Sequence, residues 1–266
     1  MKLISLNSKT ELQSHENAIA ALFLDCFGKP ISEALWRWAY LDNPHGDPVV
    51  SLCYDGDILV GHYAMIPMPL SLQEQRINSY LSITTMVTEL QRKAGLFAQL
   101  GDLTYQRGLE LGIDFVMGFP NALATPGRKK RLQWNIPAPD FVASLKKSEL
   151  LEKAKETDFF SKKSWRLNLN DEISRCWRLS RPGGDYHWDN GLAYKKFGDS
   201  IDLMYFFSIN ELERLPEDCK INVLVPATAD AFRSYWVFDY QFGGRSLRMP
   251  FNSEMIMRQM ALSDVF

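Results

Sequence analysis

The sequence predicts an α/β (α+β) fold in which helices flank a β-sheet. Two apolar strands, at residues 49–54 and 58–66, flank an Asp55-Gly56-Asp57 turn, which is a strong hairpin signal. A third strand-like run, at 77–87, is followed by a short turn and a helical pattern that ends near Gly112. A nearly continuous apolar stretch at 113–119 then has the composition of a buried central strand.

Two helices are expected before the hairpin. Apolar residues at 15–27 recur on one helical face, and Gly28 is placed to end that pattern. Ser32 can cap a second, shorter helix that ends before Pro44. All of these predicted elements lie within residues 15–119.

Composition excludes several classes of protein. The 266 residues are 46% hydrophobic and 23% charged, which is typical of a globular domain or two. A net charge of -2 argues against a main role in nucleic-acid binding. The apolar part of the N-terminus is too short for a signal peptide, and no apolar run approaches a membrane span. We therefore expect a cytoplasmic protein without nucleic-acid or membrane partners, and the sequence leaves its oligomeric state open.

The four cysteines, Cys26, Cys53, Cys176 and Cys219, lie far apart and form no C-x-x-C pair. This spacing indicates neither a metal site nor a disulfide framework. Reduced and mostly buried thiols are expected instead.

The second half partly repeats the first. Trp177 precedes Pro182 much as Trp36 precedes Pro44, and strands at 191–197 and 201–207 repeat the first hairpin. We interpret this as a duplication, although tryptophan, proline and a hairpin turn can also coincide by chance. The charged segment 150–165 is the expected connection between the halves.

The turn at 91–97, Gln-Arg-Lys-Ala-Gly-Leu-Phe, lies directly after a predicted strand and directly before a predicted helix. Small residues in such a turn expose backbone N–H groups, and the helix adds the positive end of its dipole. The strand-turn-helix unit therefore predicts a phosphate-binding site. The second half has no counterpart of this turn.

This order of elements and its turn resemble the GNAT superfamily of acyl-CoA N-acyltransferases, whose turn reads Gln/Arg-x-x-Gly-x-Gly/Ala. Gln91 or Arg92 opens the motif and Gly95 is the middle glycine, whereas Phe97 replaces the last small residue. The resemblance implies a GNAT fold with a central mixed, mostly antiparallel sheet. It implies an acyl-CoA-binding domain at 1–140, followed at 141–266 by a degenerate GNAT-like lobe without the phosphate loop.

Further short segments resemble a GNAT branch of bacterial surface-polysaccharide pathways, such as those of O-antigen, lipopolysaccharide and capsule. They are Trp36-Arg37-Trp38, Asn43-Pro44-His45-Gly46, residues 56–63, Gly95-Leu96-Phe97 and Gly118-Phe119-Pro120-Asn121. This resemblance implies transfer of an acetyl or 3-hydroxybutyryl group from acyl-CoA to the amine of a dTDP-linked amino-deoxyhexose. The alternatives are N-acetylation of an amino acid or peptide amine, and a non-catalytic GNAT-like binding module.

The resemblance also implies site residues. The backbone N–H of Val87 is expected to face the thioester carbonyl, where the strand at 85–87 diverges from that at 117–119. The amides of the turn would take the pyrophosphate, and Asn121 would bond pantetheine or the sugar. The implied coenzyme A ligands are Met86, Val87, Arg92, Lys93, Ala94, Gly95, Leu96, Phe97 and Asn121.

A catalytic base is not evident from the sequence. His62, Thr84, Glu89 and Asp114 are candidates, and His62 can equally be a hydrogen-bonded histidine beside the sheet. We expect His62, Asn121, Val87 and Glu89 to take part in the reaction. The expected substrate contacts are Trp36, Tyr40, His45 and His187, against the simpler interpretations of core aromatics and exposed loop histidines.

Overall fold

Two six-stranded sheets organise the chain in the computed structural model, which describes residues 1–156 and 163–263. Each sheet belongs to its own unit. The first unit contains Met1–Pro69, Ile77–Asn135 and Gly243–Phe251, and the second contains Leu70–Arg76, Ile136–Phe242 and the residues from Asn252 on. The predicted boundary at 140/141 falls at the start of a strand, and the return of 243–251 to the first unit has no signal in the sequence.

The elements of the first part of the chain follow the predicted order. They are β1 (Lys2–Leu6), α1 (Lys9–Gln13), α2 (Glu16–Phe27), α3 (Glu33–Tyr40), β2 (Val49–Asp55), β3 (Ile58–Pro67), β4 (Leu70–Leu72), β5 (Gln75–Ile77), β6 (Ser79–Val87), a 3₁₀ helix (Glu89–Ala94), α4 (Leu96–Glu110), β7 (Phe115–Gly118) and α5 (Ala124–Arg131). Local signals explain the ends of the predicted helices. Ser32 caps α3 by accepting from the Leu35 N–H at 3.2 Å, and Gly28 ends α2 in a left-handed conformation.

The first sheet has the order β1-β2-β3-β6-β7-β14, where β14 is Gly243–Ser246. Its pairs are antiparallel except for β6 and β7, which run parallel. The sheet is therefore mixed and mostly antiparallel, as predicted. Helix α4 packs on β2 and β3, and a Cβ on Gly61 would lie 2.7 Å from the Leu100 side chain, so this glycine lets the helix approach.

The second unit contains the remaining elements. They are β8 (Asp140–Leu145), α6 (Lys147–Lys155), α7 (Glu172–Leu179), β9 (Tyr186–Asp189), β10 (Leu192–Phe197), β11 (Ser200–Phe206), β12 (Lys220–Val225) and β13 (Trp236–Tyr240), with 3₁₀ helices at Ile209–Arg214, Asp230–Tyr235, Ser253–Met255 and Met260–Leu262. The sheet order is β13-β8-β12-β11-β10-β9, and only β11 and β12 run parallel.

The two sheets share one arrangement, which supports the duplication. A helix, antiparallel strands, a crossover and a parallel strand follow one another as α3, β2, β3, β6 and β7 in one unit, and as α7, β9, β10, β11 and β12 in the other. By topology the hairpin at 191–207 corresponds to β3 and β6, and not to the first hairpin as its sequence suggests.

The predicted connection at 150–165 is wrong in its first part, because α6 continues to Lys155 and buries Leu150 and Ala154. Residues 157–162 of that segment lie outside the described residues. Sequence reasoning also missed β1, α5, β8, β13 and β14, which are short or carry charged residues. Within the described ranges, no helix combines the length and the apolar character that a membrane crossing requires.

Candidate active site

Strands β6 and β7 diverge after a short parallel contact. They pair at Ser79, Tyr80 and Leu81 only, whereas β6 continues to Val87 with pairing to β3 alone. On the β7 side, the β6 edge from Ser82 to Val87 thus has no strand partner among the described residues. This divergence has the form that the resemblance implied, and we call it the β6–β7 gap.

A bulge in β6 lies beside the gap. His62 pairs with Met86 and Ala64 with Ile83, so Thr84 and Thr85 together face one residue of β3. Thr84 has a φ of 46°, which is unusual for a threonine. The carbonyl of Thr84 accepts a hydrogen bond from His62 Nδ1 at 2.7 Å.

That hydrogen bond defines the state of His62. Because a carbonyl only accepts, Nδ1 carries the proton and the neutral ring has a bare Nε2. The ring is fully buried, no described residue bonds to Nε2, and burial lowers the pKa to about 4. His62 is therefore neutral near pH 7 and positions the bulge, which differs from the catalytic role expected from the sequence.

Val87 directs its backbone groups into the gap. The N–H of the next residue, Thr88, donates to Val60 on β3 at 3.0 Å, so the groups of Val87 point the opposite way. Its carbonyl accepts from Arg92 Nε at 3.3 Å. Burial raises the pKa of the Cys26 thiol, and a hydrogen bond to the Val87 backbone and the charge of Arg92 partly offset this. Cys26 therefore also belongs to this site.

The N-terminus of α4 follows the gap. Residues Glu89–Ala94 form a 3₁₀ helix, in which N–H groups bond to carbonyls three residues earlier, and this engages amides that were expected to be free. Gly95 is left-handed, with a φ of 76°, and provides no side-chain cap for α4. The first amides that bond to its carbonyl are those of Ala98 and Gln99, so the amides of Leu96 and Phe97 precede the helical ladder.

This terminus fits a phosphate group. Helix α4 has 15 residues, no acidic residue in its first turn and open space around Gly95. The side chain of Phe97, the departure from the GNAT turn, packs against Tyr63 with ring centroids 5.9 Å apart and lies against Gly127 of α5. The bulky residue thus fills a space between helices, and it stays partly exposed, whereas Leu96 is fully buried.

Arg128 is a functional candidate that sequence reasoning missed. Its guanidinium is 5% exposed and donates to the hydroxyls of Tyr63, Ser82 and Thr85 at 2.7 to 3.2 Å. It lies 4.2 Å from the centre of the Trp134 ring. Ser82 and Thr85 extend from β6 at the gap and Tyr63 extends from β3, so a buried positive charge lies on the face of the sheet beside the gap.

The same cluster continues into a buried hydroxyl pair. Tyr63 shares a short hydrogen bond with Tyr105, which also accepts from Trp134 Nε1 at 2.7 Å. Burial raises the pKa of Tyr105 well above its usual value of 10. The only sequence signal for this cluster was the basic run after Arg128, and nothing in that run separates the buried arginine from its exposed neighbours.

The other predicted residues have diverse positions. Asn121 is exposed after β7, and its Oδ1 accepts from the Ala124 N–H at 2.9 Å, so its amide NH₂ remains open to a ligand. Glu89 is exposed directly after the end of β6. Asp114 accepts from the Asn78 N–H and has a structural role in the turn before β7.

The predicted substrate contacts do not converge within one unit. Trp36 and Tyr40 are each 1% exposed, so they belong to the core of the first unit and offer no surface for stacking. His45 is half-buried in the loop after α3, and His187 stacks on Tyr194 in the second unit. Among the described residues, no cluster of three or more His, Cys, Asp or Glu side chains could hold a metal ion.

Comparison with known proteins agrees with this geometry. Residues 9–135 match the family model of the acetyltransferase (GNAT) domain. No curated protein matches the sequence significantly. The structure of a GCN5-related N-acetyltransferase from Kribbella flavida is similar, with a TM-score of 0.61 and 11% identity over 93% of this chain and 72% of that one.

Two further structures have the same fold. A probable N-acyltransferase from Enterococcus faecalis V583 has a TM-score of 0.62 at 7% identity, over 94% of this chain and 74% of that one. Eis1 from Mycobacterium abscessus has a TM-score of 0.58 at 11% identity, over 93% of this chain and 74% of that one. Such low identities establish the fold alone. The chain has the GNAT fold, and its residues 9–135 are similar to the GNAT acetyltransferase domain.

Proposed function

We propose that this protein is an acyl-CoA-dependent N-acyltransferase whose acceptor is the amine of a nucleotide-linked amino sugar. In the reaction the amine nitrogen forms a bond to the thioester carbon, the C–S bond breaks, and the thiol leaves with a proton. Acyl-CoA supplies an acyl group that is already activated, so the protein has to orient it and stabilise the developing oxyanion.

The observation that carries the proposal is the β6–β7 gap together with the α4 terminus at its end. An unpaired strand edge presents N–H and C=O groups to an extended ligand, as pantetheine is. The uncapped N-terminus of α4, at the partly exposed Phe97, would hold a diphosphate, and Arg92 would add charge. Three parts of one ligand would then lie along a continuous path in the first unit.

Individual residues then receive roles. The Val87 N–H would donate to the thioester carbonyl, which would displace the Cys26 thiol from this N–H. His62 would fix the bulge that orients this amide, and Asn121 would donate its free NH₂ to pantetheine or sugar. Glu89 is the exposed carboxylate after β6 and a candidate acceptor for the amine proton, although an amine of near-neutral pKa can also release it to water.

The acceptor class rests on sequence. The segments around Trp36, Asn43, Gly56 and Gly118 resemble sugar N-acyltransferases, and we extend that resemblance to a dTDP-linked amino-deoxyhexose as acceptor. An amino acid or peptide amine is the competing acceptor, and a non-catalytic module is the competing class. An assay of free-thiol release distinguishes these three possibilities. It combines acetyl-CoA or 3-hydroxybutyryl-CoA with dTDP-amino sugars in one series, and with amino acids or peptides in another.

A matched pair of charge variants tests the phosphate site. Gln99 and Gln106 are both exposed on α4, about two turns apart, and only Gln99 lies in its first turn. Gln99→Glu should weaken coenzyme A binding about tenfold by repelling the diphosphate, whereas Gln106→Glu should leave it unchanged. A glutamate near a helix N-terminus does not weaken the helix, so this loss would not reflect unfolding.

Equal coenzyme A affinity in both variants would contradict the phosphate site. Absence of thiol release with every acceptor, while coenzyme A still binds, would instead support the non-catalytic module.

A further inference from the structure

The second unit contains a polar pocket that the proposed reaction leaves unexplained. It has a volume of about 670 Å³, within the usual range for small-molecule sites. Its lining includes Lys163, Arg166, Asn168, Asn170, Phe207 and Asn210, together with serine hydroxyls. We call it the Arg166 pocket.

The pocket is positively charged. Two cationic side chains line it, and no carboxylate does among the residues that the structure describes. Arg166 donates from Nη1 to the Phe207 carbonyl at 2.7 Å, and burial lowers its pKa. A guanidinium has five N–H donors, so most of them remain available to a ligand. The Glu211 carboxylate beside the pocket is bound to the N–H and hydroxyl of Ser208, and the partly buried positive charge of Arg166 favours an anion.

A second cleft of the same unit provides a contrast. It has a similar volume of about 600 Å³, but Lys146 and Lys220 share it with Asp199, Glu217 and Asp218. Its charges therefore compensate one another. The excess of positive charge thus distinguishes the Arg166 pocket from this second cleft.

The remaining lining suits a sugar. Asparagine amides and serine hydroxyls both donate and accept hydrogen bonds, as sugar hydroxyls require. Phe207 is 49% exposed, so one ring face is open for contact with an apolar sugar face. The Arg166 guanidinium lies 5.8 Å from this ring, which places charge and aromatic surface side by side.

The topology places this pocket at the crossover of the second sheet. Phe207 follows β11, and Asn210 lies in the 3₁₀ helix that leads towards β12. In the first unit, the corresponding crossover from β6 to β7 contains the Gly95 turn and the α4 terminus. The two crossovers therefore carry the two anion-binding surfaces described for this chain.

We propose that the Arg166 pocket binds a sugar joined to a phosphate or diphosphate. Arg166 and Lys163 bind the phosphate oxygens, the asparagine amides bond sugar hydroxyls, and Phe207 contacts the ring. The identification of this ligand as the nucleotide-linked acceptor rests on the function proposed above. The chemical class of the ligand, a phosphorylated sugar, is inferred from the pocket alone.

Calorimetric titration of the full chain with dTDP-glucose tests the pocket, because this sugar has no amine and cannot be acylated. Arg166→Met and Asn210→Ala should each weaken binding at least tenfold. Lys220→Met, which removes a cation from the other cleft, should leave it unchanged. Asn210 is exposed, so its variant keeps the test independent of the Arg166–Phe207 hydrogen bond. Unchanged coenzyme A affinity in Arg166→Met verifies folding.

Titrations with inorganic phosphate and with glucose separate the parts of the ligand. Binding of dTDP-glucose more than tenfold tighter than either alone supports the proposal, whereas phosphate binding equally well overturns the sugar part. Equal affinity of wild type, Arg166→Met and Asn210→Ala overturns the pocket.

The two proposals can fail separately. Acyl transfer to a dTDP-amino sugar with an unchanged sugar KM in Arg166→Met overturns the pocket and leaves the transferase intact. Arg166-dependent binding of dTDP-glucose without any thiol release supports the pocket and counts against the transferase.

Discussion

The two units contain the same gap in their sheets, but they treat it differently. In each, a parallel pair lasts for three residues, 79–81 with 115–117 and 200–202 with 220–222, and the strands then diverge. In the first unit the β6 edge is left without a strand partner. In the second, Gln259 Nε2 donates to the Phe206 carbonyl at 2.8 Å, and the 3₁₀ helix Met260–Leu262 contacts β11.

The crossover segments also differ between the two units: the first leaves a helix terminus open, and the second caps it. The first contains the 15-residue α4, which starts at an uncapped glycine. The second is a short 3₁₀ helix, where the Glu211 carboxylate accepts from the Ser208 N–H at 2.7 Å in a capping box. In the second unit the Ser208 amide is thus already bound by a carboxylate of its own helix, and the gap is covered by the unit's own segment. The gap follows from topology, and side chains decide whether a ligand can use it.

The largest expected effect comes from releasing the segment that fills the second gap. Arg178 is fully buried and donates to the carbonyls of Ala261 and Ser263 at 2.6 Å each. Arg178→Met should lower the free energy of unfolding by about 3 kcal/mol, because charged hydrogen bonds contribute about 1.5–3 kcal/mol each. Hydrogen exchange should accelerate at 203–206. Urea denaturation measures the first effect and mass spectrometry the second.

Arg233→Met is the matched control, since Arg233 is exposed and donates to the Ala227 carbonyl at 2.6 Å. A surface contact of this kind should cost less than about 1 kcal/mol. Slow exchange at 203–206 in Arg178→Met would show that the C-terminal segment does not depend on this arginine.

The next effect concerns the open gap. Val87→Pro removes an N–H that points away from β3, so the antiparallel ladder keeps its hydrogen bonds. We expect kcat for acyl transfer to fall about 100-fold, as for loss of one oxyanion donor. Val87→Ala retains the amide and should keep kcat within about threefold of wild type. Near-normal turnover in the proline variant would remove Val87 from the mechanism.

The sequence predicted the first unit well because its signals are local. The hairpin turn at Gly56, the cap at Ser32 and the glycine at 112 lie next to the elements that they define, and the structure contains those elements. The divergence of β6 from β7 was available only through family resemblance. No local pattern shows where two parallel strands cease to pair.

The unpredicted features depend on contacts between residues that are distant in sequence. Arg128 is one of four consecutive basic residues, and only its approach to Tyr63, 65 positions away, makes it special. Arg178 contacts carbonyls more than 80 positions later. For Trp36 and Tyr40 the sequence predicted substrate contacts, and the structure places both residues in the core. Composition could not distinguish these possibilities, because amphipathic core residues and stacking platforms contain the same aromatic side chains.

A smaller effect tests the bulge at the open gap through pH. His62 has a pKa of about 4 in the fold, and an unfolded histidine has one of about 6.5. As the pH falls, the unfolded chain therefore binds a proton before the folded protein does. The contribution of His62 to stability is fully present above pH 6.5 and is lost as the pH drops towards 4. From pH 7 to 5 the expected loss is about 2 kcal/mol from this group.

His62→Gln supplies the comparison, because glutamine does not titrate. The difference in unfolding free energy between wild type and variant should shrink by that amount as the pH falls from 7 to 5. A constant difference would mean that His62 is protonated in the fold, and that the Thr84 bulge tolerates a charged ring.

The smallest effect compares two glycines of the first unit. Gly95 and Gly56 are both left-handed, and a Cβ on either would meet nothing within 4 Å. Alanine at either position should therefore cost about 1 kcal/mol of stability, from backbone strain alone. Only Gly95→Ala places a methyl group at the N-terminus of α4, so only this variant should weaken coenzyme A binding, by a few-fold. Equal affinities in the two variants, measured by calorimetry, would mean that the diphosphate does not lie against this turn, and the uncapped helix terminus would no longer distinguish the open crossover from the capped one.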